Sequence, residues 1–409
     1  MGDNFTEHQQ KWAFRLAFAV IILSWLSIKI SMPALPKLSE VFDSSTQGVQ
    51  LSVTIFFVFF ALSQPIWGGI GQKIGCRPTL LIGVIISIIG SLIAMLAFDL
   101  PSYIVGRSLE GLGMGSASPI ARTILTQVFD RKNLAKSMGT ISGVASTMPA
   151  VAPIIGGYLL AWIDWRAIFA FFLILTVLYL LIALRDLPEA IFYSEKHPAP
   201  TNDKLFGYYL SILKSTSFWG YALCYGVMTG GLIGYYSAAP YWFVSQLGIA
   251  ADQYAYFTVP TVVLYIFGLF VNRMLLKKHD IEKLLFLGML SALIAALITF
   301  GMASLNLSGL VSIIIVLSLF GFSAGLVMPS VNAGAMAEFK DVAGPASALL
   351  VMTVFGVSAI TASWAMRINI INSLWSVALY LGVLAIVGLC ANYFWVWIPY
   401  KNAENQKNQ

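Results

Sequence analysis

"GGIGQKIGCRP" (residues 68–78) interrupts two long apolar runs, "VQLSVTIFFVFFALSQPIW" (49–67) before it and "TLLIGVIISIIGSLIAMLA" (79–97) after it. Neither run carries a charge, and each approaches the ~20 residues an α-helix needs to cross a bilayer. The insert packs glycines, a lysine, an arginine and a proline into a tight basic turn. That is how two membrane helices are joined on one side of a membrane. A related turn recurs as "GLFVNRMLLKK" (268–278), which also sets a glycine four residues before an amide and a base: Gly68, Gln72 and Lys73 against Gly268, Asn272 and Arg273.

Composition agrees with this reading. The 409 residues are 58% hydrophobic and 10% charged, against about 25% charged in soluble domains. Mean hydropathy is +0.82. This is the balance of a membrane protein, and it sets soluble enzymes aside. Cys76, Cys224 and Cys390 lie far apart, and His8, His197 and His279 fall in predicted loops, so neither a disulfide nor a metal site is expected. No phosphate-binding loop is present, and no cofactor is expected.

Twelve apolar runs are long enough to span, at roughly 12–34, 48–70, 78–98, 101–127, 137–161, 165–185, 217–244, 252–272, 282–302, 307–335, 343–366 and 374–398. With the N-terminus placed in the cytoplasm, 18 of the 24 Lys and Arg fall on the inside and 3 (Lys37, Arg166, Arg367) on the outside. The positive-inside rule therefore predicts cytoplasmic termini, in what reads as a bacterial inner membrane. The net charge of +6 is topology rather than a nucleic-acid surface. The first run has no cleavage site and reads as retained. "MGDNFT" fits a myristoylation pattern and "NLS" at Asn306 a glycosylation pattern; both read as accidental.

One long polar stretch, 187–215, separates residues 1–186 from 216–409. It is predicted to be a cytoplasmic linker between two six-helix bundles. The expected fold is an all-α membrane protein of twelve transmembrane helices in two pseudo-symmetric halves. Repeated halves with a solute site between them are a common plan of secondary transporters.

These residues resemble the major facilitator superfamily, and within it the twelve-span drug:proton antiporters of the bicyclomycin and chloramphenicol resistance type. Gly68, Lys73, Gly75, Arg77 and Pro78 fit the superfamily's first signature, G-x-L-a-D-R-x-G-R-R-P. Arg107 and Gly111 in "GRSLEGLGMGSA" resemble its R-x-x-Q-G signature. Pro149, Pro153, Gly156 and Gly157 in "STMPAVAPIIGGYL" resemble the antiporter signature. "MPALP" (32–36) and "WRAIF" (165–169) also fit. The resemblance implies the major facilitator fold, alternating access, a small-molecule substrate, proton coupling and a functional monomer. It also implies gating or structural roles for Gly68, Gln72, Lys73, Gly75, Arg77, Pro149, Pro153, Gly156 and Gly157.

Three positions depart from the group. Lys29 stands where an acid usually precedes "PALP", Gln72 replaces the first-signature aspartate, and Glu110 replaces the second-signature glutamine. Of the 18 acids, Glu110 alone lies deep in a predicted span, which makes it the candidate proton carrier. At ~1.5 Å per residue, Lys29, Arg107 and Glu110 share one layer beneath the outer surface. Glu110 is then either a structural partner of Arg107 or a coupling group. Lys29 either pairs with Glu110, snorkels outward or faces the solute.

One surplus positive charge in that layer predicts an anionic substrate, such as a polycarboxylate metabolite or siderophore. The alternative is a multidrug:proton antiporter exporting neutral or zwitterionic compounds. A non-transporting receptor on the same fold comes third. In the second half, Tyr225, Tyr235 and Tyr236 on the seventh run, with Asn332 and Gln50 as weaker candidates, could contact the substrate. The plainer reading of an aromatic stripe is packing.

Overall fold

The computed structural model describes residues 6–129, 137, 140–141, 144, 148–187, 202–246, 248–249, 253, 255–307, 309–339, 343–368, 370 and 373–407. Packing divides the chain into one unit of Met1–Thr201 with Ala251–Ala255 and another of Asn202–Ala250 with Tyr256–Gln409.

The first unit contains α1 (Glu7–Lys29), α2 (Leu35–Val41), α3 (Thr46–Ile74), α4 (Cys76–Leu96), α5 (Leu100–Met114), α6 (Ala117–Val128), α7 (Met148–Trp162) and α8 (Trp165–Asp186). The second contains α9 (Asn202–Lys214), α10 (Thr216–Pro240), α11 (Val259–Leu275), α12 (Ile281–Ser304), α13 (Leu310–Glu338), α14 (Ala343–Arg367), α15 (Leu374–Asn392) and α16 (Ile398–Lys407). Among the described residues, nine helical stretches are long and apolar enough to cross a membrane.

The structure refines several predicted elements. The first span does not run unbroken to residue 34. α1 ends at Lys29, a 3₁₀ turn covers Met32–Ala34, and α2 follows. Pro33 and Pro36 cause the break, because neither ring nitrogen can donate to the carbonyl four residues back. The fourth predicted span is two helices, parted at Gly115 and Ser116. Part of the fifth lies outside the described residues. So does much of the predicted linker, but its residues 202–214 form α9. After α15 a π-helical turn, Tyr393–Trp397, carries the chain into α16.

Glycine sets the spacing of α4 and α5. A Cβ on Gly90 would collide with the backbone nitrogen of Glu110, and one on Gly106 would meet Ala94 N at 2.5 Å. A Cβ on Gly113 would strike Gly83 O. Small residues let helices approach to backbone contact in lipid. Glu110 is therefore fixed by the packing of its own main chain.

The turn that opened the reading also becomes clear. Gly75 ends α3 at φ 93°, a conformation that costs side-chain-bearing residues dearly. Two residues on, Arg77 Nη2 donates to Leu184 O in the last turn of α8. At the other end of the same helix pair, Arg166 Nη2 donates to Ala97 O, just past α4, at 3.2 Å. Each helix thus supplies an arginine from its first turn to the other's C-terminal carbonyls, where orphan acceptors and the helix dipole favour a cation. Outside the helices, the Asp99 carboxylate caps α5 by accepting from Ser102 N at 2.9 Å. The Ser102 hydrogen bonds hold its pKa below the usual carboxylate value.

Similar close glycine contacts occur in both units. In the first unit, Gly111 and Gly115 pack on the carbonyls of Phe56 and Phe60. In the second, Gly321 and Gly325 pack on those of Thr261 and Tyr265. Trp67 stands eleven residues past Phe56, as Asn272 does past Thr261. Each reaches across to a carbonyl: Trp67 Nε1 to Leu112 O at 2.7 Å, and Asn272 Nδ2 to Leu326 O at 2.6 Å. The two acceptors stand at different places relative to these glycines, Leu112 one residue past Gly111 and Leu326 five past Gly321. Gly68 has open space where Gly268 meets the Phe322 carbonyl.

Candidate functional site: a buried ion pair and a tyrosine cluster

The break after α1 and the glycine-tight packing of α5 bring polar groups together inside the first unit. Arg107 Nη1 lies 2.7 Å from Glu110 Oε2. Three residues apart, the two side chains share one face of α5. The guanidinium also reaches α1, with Nη1 and Nη2 at 3.4 and 3.3 Å from Ser27 O. Its carbon sits 4.3 Å from the centre of the Phe56 ring and 6.0 Å from that of Phe169. Among the described residues Arg107 Nε has no hydrogen-bond partner.

A deeply buried charge pair needs such extra contacts, because desolvation offsets much of the attraction. The arrangement can hold a proton. Protonated Glu110 would leave the guanidinium to Ser27 O and the Phe56 face; ionised Glu110 draws it back.

Lys29 is the last residue of α1 and is 4% exposed. Glu110 is ion-paired with Arg107. Beside Lys29, Gly156 of α7 packs directly on Ile30 O, which a Cβ would overlap. That contact gives Gly156 a physical role. Pro153 lies inside α7, Gly157 is buried in the same helix, and the side chain of Pro149 lies outside the described residues. Gln72 and Lys73 are exposed at the end of α3, and Gln50 is buried within it.

Sequence reading missed the rest of this layer. Tyr103 is fully buried one turn before Arg107, beside Ser31 and Ser52. Its ring packs on Phe42, Trp165 and Phe169 at 5.6, 6.3 and 5.6 Å. The spacing of four residues could have shown it. Phe56 could not have been found this way, since nothing local ties it to Arg107.

In the second unit Tyr235 and Tyr236 are buried, with rings 6.1 Å apart, and Tyr225 is half-buried. Tyr265 of α11 interacts with Tyr225 and Tyr236, and its hydroxyl lies 3.7 Å from Met328 Sδ. Asn332 is exposed, and its Nδ2 donates to Met328 O on its own helix at 3.1 Å. Tyr265 was not expected from sequence. Among the described residues no cluster of metal-ligating side chains occurs.

The family model for the Major Facilitator Superfamily matches residues 17–363. The chain belongs to that superfamily. It is 25% identical over 390 residues to the bicyclomycin resistance protein homolog of Haemophilus influenzae, covering 95% of this chain and 97% of that one. It is 30% identical over 349 residues to an uncharacterised transporter of the superfamily from Bacillus subtilis, covering 83% and 85%. Multidrug resistance protein D of Escherichia coli is 24% identical, with 81% and 82% covered. A crystal structure of a D-xylose–proton symporter shares the fold, with a TM-score of 0.74 at 17% identity over 94% of this chain and 97% of that one. As a member of the superfamily, the chain is a multi-pass membrane transporter, not an enzyme.

Proposed function

We propose that this transporter exports neutral or zwitterionic drug-like compounds in exchange for protons, from a bacterial cytoplasm in which both its termini lie. The observation that carries the reading is the buried Arg107–Glu110 pair. A carboxylate closed on one guanidinium can exchange its proton for that contact, and the guanidinium bridges α5 to the break after α1. The names of the relatives, bicyclomycin and multidrug resistance, support a drug-like substrate. Tyr225, Tyr235, Tyr236 and Tyr265 offer ring faces and hydroxyls suited to such molecules. Asn332 and Lys29 are further candidate contacts.

A second reading keeps the anionic or polycarboxylate substrate. One observation favours it: a lysine 4% exposed in a membrane helix, where intramembrane charges mark functional pathways. The relatives named above do not point that way.

Thermal unfolding with a charge-sorted panel separates the two: chloramphenicol, a zwitterionic fluoroquinolone, citrate and tetraphenylphosphonium. A ligand at ~100 times its dissociation constant adds about 2.7 kcal/mol. Stabilisation by the first two supports export of drugs. Stabilisation by citrate alone, lost in Lys29→Ala, replaces that reading with the second.

A further inference from the structure

Phe56 lies in α3, within the uncharged run 49–67. Gly111, next to Glu110 on α5, rests on its carbonyl: a Cβ there would come within 2.5 Å of Phe56 O. That backbone contact fixes α5 against α3. It sets the Phe56 ring against the Arg107 guanidinium, with 4.3 Å from ring centre to guanidinium carbon. The ring is 1% exposed, stacked on Phe60 at 5.9 Å and edge-on to Phe57 at 5.7 Å, which leaves it little room to turn. Phe169 lies farther from the guanidinium, at 6.0 Å.

A ring face attracts a cation most strongly where water is excluded. A guanidinium paired with a carboxylate shows that face less net charge than a lone one does. The Phe56 face therefore favours the state in which Glu110 is neutral and Arg107 has lost its counter-ion. The other titratable side chains of this layer are Tyr103 on α5 and Lys29, two residues past Ser27 on α1. α3, α4 and α8 meet the pair with the uncharged Phe56, Gly90 and Phe169.

We propose, on the reading of Glu110 as the proton carrier, that Phe56 is a positioning residue of the proton site. Its face receives the guanidinium as Glu110 takes up a proton, and the π density of the ring sets the pH at which that happens.

Infrared titration of the full-length transporter in lipid vesicles tests this without a substrate. The carbonyl stretch of a protonated buried acid is followed against pH, and Glu110→Gln identifies the band that belongs to Glu110. Phe56→fluorophenylalanine variants with one, two and three ring fluorines draw π density from the face while keeping the ring. The midpoint of the band should fall with each fluorine, by about half a unit to one unit over the series. Phe172→trifluorophenylalanine, at a ring equally buried on α8, should leave the midpoint unchanged. A midpoint that ignores the fluorines at Phe56, or moves as far with those at Phe172, overturns the role of Phe56 and leaves that of Glu110 standing. If wild type shows no titrating band that Glu110→Gln removes, the proton-carrier reading falls and the role of Phe56 falls with it.

Discussion

Arg107 and Glu110 meet at 2.7 Å with side chains 2% and 1% exposed, and the same guanidinium reaches back to the carbonyl of Ser27. One residue thereby joins the carboxylate to the broken end of α1. Breaking a buried pair from one side leaves an uncompensated charge, which costs about 3–5 kcal/mol. Arg107→Leu should therefore lower the unfolding temperature sharply. The double variant Arg107→Leu, Glu110→Leu should recover much of the loss. Thermal unfolding of the two proteins in one detergent checks the order.

Glycine packing makes a second prediction. Gly90→Ala and Gly113→Ala push a methyl group into the backbone of the neighbouring helix and should destabilise by about 1–3 kcal/mol. Gly68→Ala, with nothing within 4 Å, should be neutral or slightly stabilising, since alanine is the better helix former. Melting temperatures of the three variants distinguish packed from unpacked glycines.

The crossed arginines should act independently. Arg77→Leu and Arg166→Leu each remove one hydrogen bond to a helix end, at a cost of about 0.5–1.5 kcal/mol. They sit at opposite ends of the α4–α8 pair, so their effects should add. Additive losses in a double variant check this; a sub-additive result would mean that the two ends communicate.

Asn272, 1% exposed, donates to Leu326 O at 2.6 Å and to Ser330 Oγ at 2.7 Å. Asn272→Leu removes both bonds and should cost about 1–3 kcal/mol. Gln72→Leu, at an exposed position, should change stability little. Equal losses would mean that the two Asn272 bonds contribute nothing of their own.

The fold was legible because its signals are long or composition-wide. Apolar runs need no knowledge of distant contacts. The Arg107–Glu110 pair was legible for the same reason, since three residues on a helix fix a face. What escaped depends on tertiary neighbours. Phe56 under Arg107, Tyr265 beside Tyr225, and Arg77 capping α8 join segments that sequence spacing does not relate. The close backbone contacts between helices leave little trace in the sequence beyond the glycines themselves.

The central claim is that Glu110 carries the exchanged proton. The most direct test is transport of the stabilising drug into inside-out vesicles under an imposed pH gradient, with wild type and Glu110→Gln compared across external pH. A second variant, Arg107→Gln with Glu110→Gln, guards against loss of the fold. The account predicts that wild type accumulates drug against its gradient. Both variants, still folded by thermal unfolding, should only equilibrate it and lose the pH dependence. Uphill accumulation by folded Glu110→Gln, with the pH profile of wild type, would contradict it.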